Sequence, residues 1–95
     1  MGTYVILTKL SAGALGDPSE LRELAQSVAK EMKKRCPKVR WKESYAVMGR
    51  FDVVDIVEAD SPAEVAKAAM VIRTFGHATT ETMHATPWKD FLASL

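Results

Sequence analysis

The sequence predicts a single α+β domain: a four-stranded antiparallel sheet, two helices on one face, and a short helix at the end. Two observations carry that expectation. A proline-started, capped amphipathic helix lies in each half of the chain, and strand-forming segments stand on both sides of each helix. The order therefore reads strand, helix, strand, turn, strand, helix, strand.

The first strand is "TYVILTKL" (3–10), rich in β-branched and aromatic residues. The loop "SAGALGD" (11–17) follows and leads into a helix, the setting of a phosphate-binding loop. Its glycines fit neither G-x-G-x-x-G nor a Walker loop, and Asp17 would repel an anion, so a phosphate site is rejected. In "DPSE" (17–20), Asp17 is the expected cap, Pro18 fills the first helical position, and Glu20 suits the positive end of the dipole. Leu21, Leu24, Ala25, Val28, Met32 and Cys36 then recur at helical spacing, and the helix should end before Pro37.

The second strand is expected at 38–47, "KVRWKESYAV". Gly49-Arg50 should then make a tight turn into a third strand at 51–58. "SPAE" (61–64) repeats the helix-start chemistry, with Ser61 as cap, Pro62 and Glu64, and Val65, Ala68, Ala69, Ile72 and Phe75 form the next apolar stripe. That helix should stop at Gly76. A last strand, "HATTETMHA" (77–85), precedes the tail "PWKDFLASL" (87–95), which can add a helical turn carrying Trp88, Phe91 and Leu92. The succession is the split βαβ, or ferredoxin-like, arrangement βαββαβ, as one domain over residues 1–95.

Composition excludes several classes. At 47% hydrophobic and 26% charged residues the chain suits a folded core rather than a disordered segment. The formal charge of +1 gives no global pull towards nucleic acid or an anionic membrane. Seven of the 13 basic residues fall between Lys30 and Lys42, but a helix carboxyl end and an edge strand account for them. No apolar run approaches a membrane span, no leader sequence is recognisable, and the expected setting is cytoplasmic. The single cysteine, Cys36, excludes an intrachain disulfide and a CxxC site.

Patterning also predicts a partner. In this fold the first and third strands are central and the helices cover one face, so each strand should alternate apolar and polar residues. Instead Val5 and Leu7 oppose Tyr4 and Ile6, and Val53 and Val57 oppose Val54 and Ile56. Both faces call for burial, and the chain is too short to supply another layer. A second copy packed sheet to sheet is the economical cover, so a homodimer is expected; rings of dimers are compatible with the same pattern.

Two segments carry a family likeness. "GRFDVVDIVEAD" (49–60) resembles the G-x-[YF]-D-V-V-x-I-V-E-A segment of the small GYD-domain proteins, and "FGHATTETMHA" (75–85) resembles their G-x-x-x-T-E-T stretch. Gly49, Phe51, Asp52, Glu58, Gly76, Thr80, Glu81 and Thr82 occupy the family's positions, with Phe51 in place of the eponymous Tyr and Asp55 in place of an aliphatic residue. The resemblance implies a dimeric α+β barrel, a superfamily that includes small monooxygenases, isomerases and amino-acid-sensing regulatory domains.

The candidate site begins with Asp55, a carboxylate in a strand otherwise apolar on both faces, which is costly to bury without partners. The alternative is a structural ion pair with Arg or Lys. His77, Thr79 and Glu81 share one face of the last strand, a polar row suited to the lip of a cleft. His77 and Glu81 lie about 13 Å apart at the usual strand rise, too far to share one metal ion, and no cofactor or metal is expected. Trp41, Glu43 and Tyr45 should line one face of the second strand, where alternate aromatics chiefly pack; because the second and third strands are neighbours, Tyr45 is also a candidate hydroxyl donor near Asp55.

The expected function is a homodimeric binder of a small metabolite, with Asp55, His77, Glu81, Thr79 and Tyr45 as contacts. A cofactor-independent monooxygenase or isomerase is the alternative by fold analogy. A regulatory or scaffolding subunit without a pocket is the third.

Overall fold

The structure is a computed structural model; it describes the backbone of residues 1–95 and every side chain except that of Leu15. The chain runs β1 (Gly2–Leu10), a 3-10 turn (Ala12–Leu15), α1 (Pro18–Arg35), β2 (Arg40–Ala46), β3 (Val53–Ala59), α2 (Pro62–Phe75), β4 (Ala78–Ala85) and α3 (Trp88–Ser94). The strands form one antiparallel sheet in the order β2-β3-β1-β4, with β1 and β3 central as expected of the ferredoxin-like arrangement.

Register assigns every side chain to a face. Ile6 lies opposite Asp55 on one side and Thr82 on the other, so Tyr4, Ile6, Thr8, Val53, Asp55, Val57, Thr80, Thr82 and His84 share the helix-covered face. The core sits there: Ile6, Val57, Val65 and Ala68 are sealed between the sheet and α2. The opposite face carries Val5, Leu7, Val54 and Ile56 in its centre, none of them fully buried, with Tyr45 and Met83 exposed beside them. The molecule is 17 Å along its shortest axis, the thickness of a sheet and one helix layer. Its 14.0 Å radius of gyration exceeds the roughly 12 Å expected for a compact chain of this length. The projecting α3, with Trp88 and Phe91 stacked on each other and Trp88, Phe91, Leu92 and Leu95 exposed, fits that difference.

Local chemistry explains most boundaries. Asp17 caps α1 by accepting from the Ser19 backbone N–H at 2.9 Å, with Pro18 beginning the helix. Ser61 has the extended backbone of a cap, but its hydroxyl makes no capping bond; Pro62 alone sets the start of α2. Gly76 ends α2 in a right-handed conformation, and the positive φ expected of a helix terminus falls on His77 instead, at 50°. His77 therefore belongs to the connection, and β4 begins one residue later. The link from β2 to β3 is also longer than a two-residue turn. Asp52 organises it: its backbone carbonyl accepts from Val47, its own N–H donates to the Thr8 carbonyl, and its Oδ2 accepts from Leu10 N–H at 2.8 Å. The carboxylate of the "GRFD" motif is thus a structural clasp between the end of β1 and the start of β3.

The largest departure from strand periodicity lies in β2. Trp41 pairs with Val57 and Glu43 with Ile56, so one extra residue, Lys42, is accommodated as a β-bulge. Beyond the bulge the parity is reversed. Trp41 and Ser44 therefore both face the helices, while Glu43 and Tyr45 face the other way.

Candidate functional site

Beneath the first two-thirds of α1 the helix does not close onto the sheet. Met32 is buried near its carboxyl end, but Leu21, Leu24 and Val28 are only half-buried. The space between is a cleft of about 490 Å³, within the roughly 300–1,000 Å³ usual for small-molecule sites. Leu21, Leu24, Val28 and Met32 form its roof, Leu10, Val53 and Ile72 extend the apolar wall, and Thr8, Trp41, Ser44 and Asp55 supply the polar floor.

Asp55 is 6% exposed. Its Oδ1 accepts from the Trp41 indole N–H at 2.9 Å and from the Ser44 hydroxyl; the same indole N–H also lies 3.0 Å from Ser44 Oγ. The bulge makes this possible, since residues three apart on a regular strand point to opposite faces. Among the described residues no Lys or Arg pairs with Asp55: the ion pairs are Arg35 with Glu31, Lys42 with Glu58 and Lys67 with Glu64. Within the chain, two neutral donors hold one oxygen of the carboxylate instead. Beside it on β1, the Thr8 hydroxyl is buried without a hydrogen-bond partner among the described residues. A deeply buried orphan hydroxyl next to a half-satisfied carboxylate is a polar patch at the foot of an apolar chamber.

The other expected contacts are not assembled here. Tyr45 lies opposite Val54 on the helix-free face and is 52% exposed, so it is no neighbour of the Asp55 side chain. Thr79 and Glu81 pair with Lys9 and Leu7 on that same face, and His77 precedes the strand. The residues that Asp55 does meet, Trp41 and Ser44, were hidden in the sequence by the change of parity. A second, more open depression of about 480 Å³ between α2 and β4 holds His84, stacked on Tyr4 at 4.8 Å between ring centres. Among the described residues no three His, Cys, Asp or Glu side chains gather in a metal-binding group, and no helix is long and apolar enough to cross a membrane.

The chain is similar over its length to several known proteins. A protein of Thermus thermophilus, named as a glutamine synthetase and cystathionine beta-lyase binding protein, is 32% identical over 99 residues, spanning 100% of this chain and 99% of its own. The crystal structure of FFRP-DM1 superposes with a TM-score of 0.61 at 28% identity, covering 90% of this chain and 100% of that one. The leucine response regulatory protein of Mycobacterium tuberculosis gives a TM-score of 0.60 over 90% of this chain and 51% of its own; at 15% identity the likeness is one of fold alone. The model of the GYD domain matches residues 4–95, and the chain belongs to the GYD domain family.

Proposed function

We propose that this protein is a homodimeric binding module that takes a small molecule in the cleft between α1 and the sheet. One observation carries the reading. Asp55 is a buried carboxylate held by neutral donors and opening on an apolar chamber. Burying an ionic group without a counter-charge is expensive, and a core with no binding role is better served by a residue of similar volume without charge. The homodimer is supported by Val5, Leu7, Val54 and Ile56 on the helix-free face, where a second sheet would bury them. A cytoplasmic setting suits the free, buried Cys36 thiol.

The arrangement favours binding over turnover. Among the described residues Asp55 is the one carboxylate lining the cleft, its Oδ1 is already occupied by two donors, and His77 lies outside. A thermal-shift screen of metabolites against the wild type and Asp55→Asn tests the reading. Compounds that raise the wild-type melting temperature and lose that effect in the variant support it. A wild type that no compound stabilises, together with a variant that is simply more stable, overturns it.

A second reading has its own observation. The relative at 32% identity is named for binding two enzymes, and α3 with the residue that follows it presents Trp88, Phe91, Leu92 and Leu95 to solvent. An exposed aromatic cluster of this kind is typical of protein-binding anchors. Docking on an amino-acid-metabolising enzyme through α3 would be a regulatory role, and it is compatible with a ligand in the cleft. Pull-down of glutamine synthetase by the wild type but not by Trp88→Ala/Phe91→Ala would support it, and equal capture by both would refute it.

A further inference from the structure

We infer that the cleft selects hydrophobic primary amines, with the ammonium seated between Asp55 and Thr8 and the apolar body lying under α1. The inference rests on the cleft reading and adds the chemical class of its ligand. Both protein donors to Asp55 converge on Oδ1, and among the described residues none reaches Oδ2. The carboxylate therefore retains acceptor capacity and an uncompensated charge. A donor that is also a cation satisfies both needs at once.

Thr8 supplies the second contact. The register sets Thr8 opposite Val53 and Ile6 opposite Asp55, so Thr8 is the diagonal neighbour of Asp55 on the same face of adjacent strands. Such neighbours stand about 7–8 Å apart at their backbones and closer at their side chains. A single ammonium, with three hydrogens to donate, can bridge that gap and use the Thr8 hydroxyl, which has no partner among the described residues.

Charge and shape exclude the alternatives. An anionic ligand seated at the floor would face the Asp55 charge among apolar side chains, where repulsion is screened less than in bulk water. A neutral alcohol could donate one hydrogen bond but would leave the charge uncompensated. Away from the floor the wall is Leu21, Leu24, Val28, Met32 and Ile72, with Lys33 at the exposed edge as its one polar side chain, so it favours an aliphatic or aromatic body. Lys33, the only cation lining the cleft among the described residues, is exposed and pairs with no carboxylate there, so it does not fill this role itself.

The test is calorimetric titration of the wild type, Asp55→Asn and Thr8→Val with three compounds of matched shape: phenethylamine, phenylethanol and phenylacetate. The expected order in the wild type is amine first, alcohol about tenfold or more weaker, and acid without measurable binding. Asp55→Asn should weaken the amine by about tenfold while leaving the alcohol within about twofold, and Thr8→Val should weaken the amine by a smaller factor. Should Asp55→Asn fail to fold, the order of the three compounds on the wild type decides alone. Alcohol binding as tightly as amine would overturn the amine assignment while leaving the cleft intact. So would a metabolite hit at the cleft that carries no amine. Absence of any ligand for the cleft would defeat the binding reading itself.

Discussion

Thr8→Val offers a sharp energetic test, because it removes one buried hydroxyl and keeps the branched shape of the side chain. Thr8 is 3% exposed and its Oγ1 has no hydrogen-bond partner among the described residues. Leaving such a hydroxyl unpaired costs about 1–3 kcal/mol by the measure of protein substitutions. Valine needs no partner and suits a central strand at least as well. The substitution should therefore stabilise the free protein by about 1 kcal/mol or more, and for a domain of this length each kcal/mol raises the melting temperature by about 4–8 °C. Circular dichroism melts measure the shift directly, and urea titration should show a higher midpoint with an unchanged slope. A fall in melting temperature of similar size would mean that the Thr8 hydroxyl already makes a stabilising bond and is not an orphan. The expected pairing of higher stability with weaker amine binding is the trade expected of a group kept for a ligand rather than for the fold.

Trp41→Phe keeps an aromatic ring but deletes the indole donor to Asp55, and should destabilise the protein by about 1–3 kcal/mol, read by chemical denaturation; no loss would show that the bond contributes nothing. Cys36 is 1% exposed and burial pushes its thiol pKa up. A disulfide reagent at neutral pH should label it only on unfolding, whereas rapid labelling of the native state would contradict its burial. Because the folded thiol holds its proton more tightly, its contribution to stability is complete below the unfolded value of about 8.5 and is lost as pH rises through the folded value. Light scattering at micromolar concentration should give twice the 10.5 kDa chain mass or a higher even multiple, and Val5→Lys/Ile56→Lys should yield monomer. A wild-type monomer would contradict the proposed cover for the helix-free face.

The elements and their order were legible because each rests on local chemistry: Pro18 and Pro62 at helix starts, apolar stripes behind them, and runs of β-branched residues between. Asp55 was legible too, since a charge inside "DVVDIVEA" breaks a hydrophobic run wherever the strand sits. Its partners were not. The bulge at Lys42 carries no glycine, proline or asparagine to announce it, and strict alternation assigns Trp41 and Tyr45 to one face. With both faces of β1 apolar, nothing local says which parity of β4 lies beneath the helices, so Thr79 and Glu81 could be grouped with each other but not excluded from the cleft. The part played by Asp52 was equally hidden, because it depends on a bond to Leu10 from across the sheet.

The role proposed for the chamber floored by Asp55 is to receive a small molecule. The indole N–H of Trp41 is the natural reporter, being bonded to the carboxylate itself, and Trp88 on α3 is a built-in control as the only other tryptophan. In nitrogen-15 correlation spectra of the uniformly labelled protein titrated with phenethylamine, the Trp41 indole resonance should shift saturably while that of Trp88 stays unmoved. Saturable shifts confined to Trp88 and the helix-free face, with Trp41 silent, would contradict it.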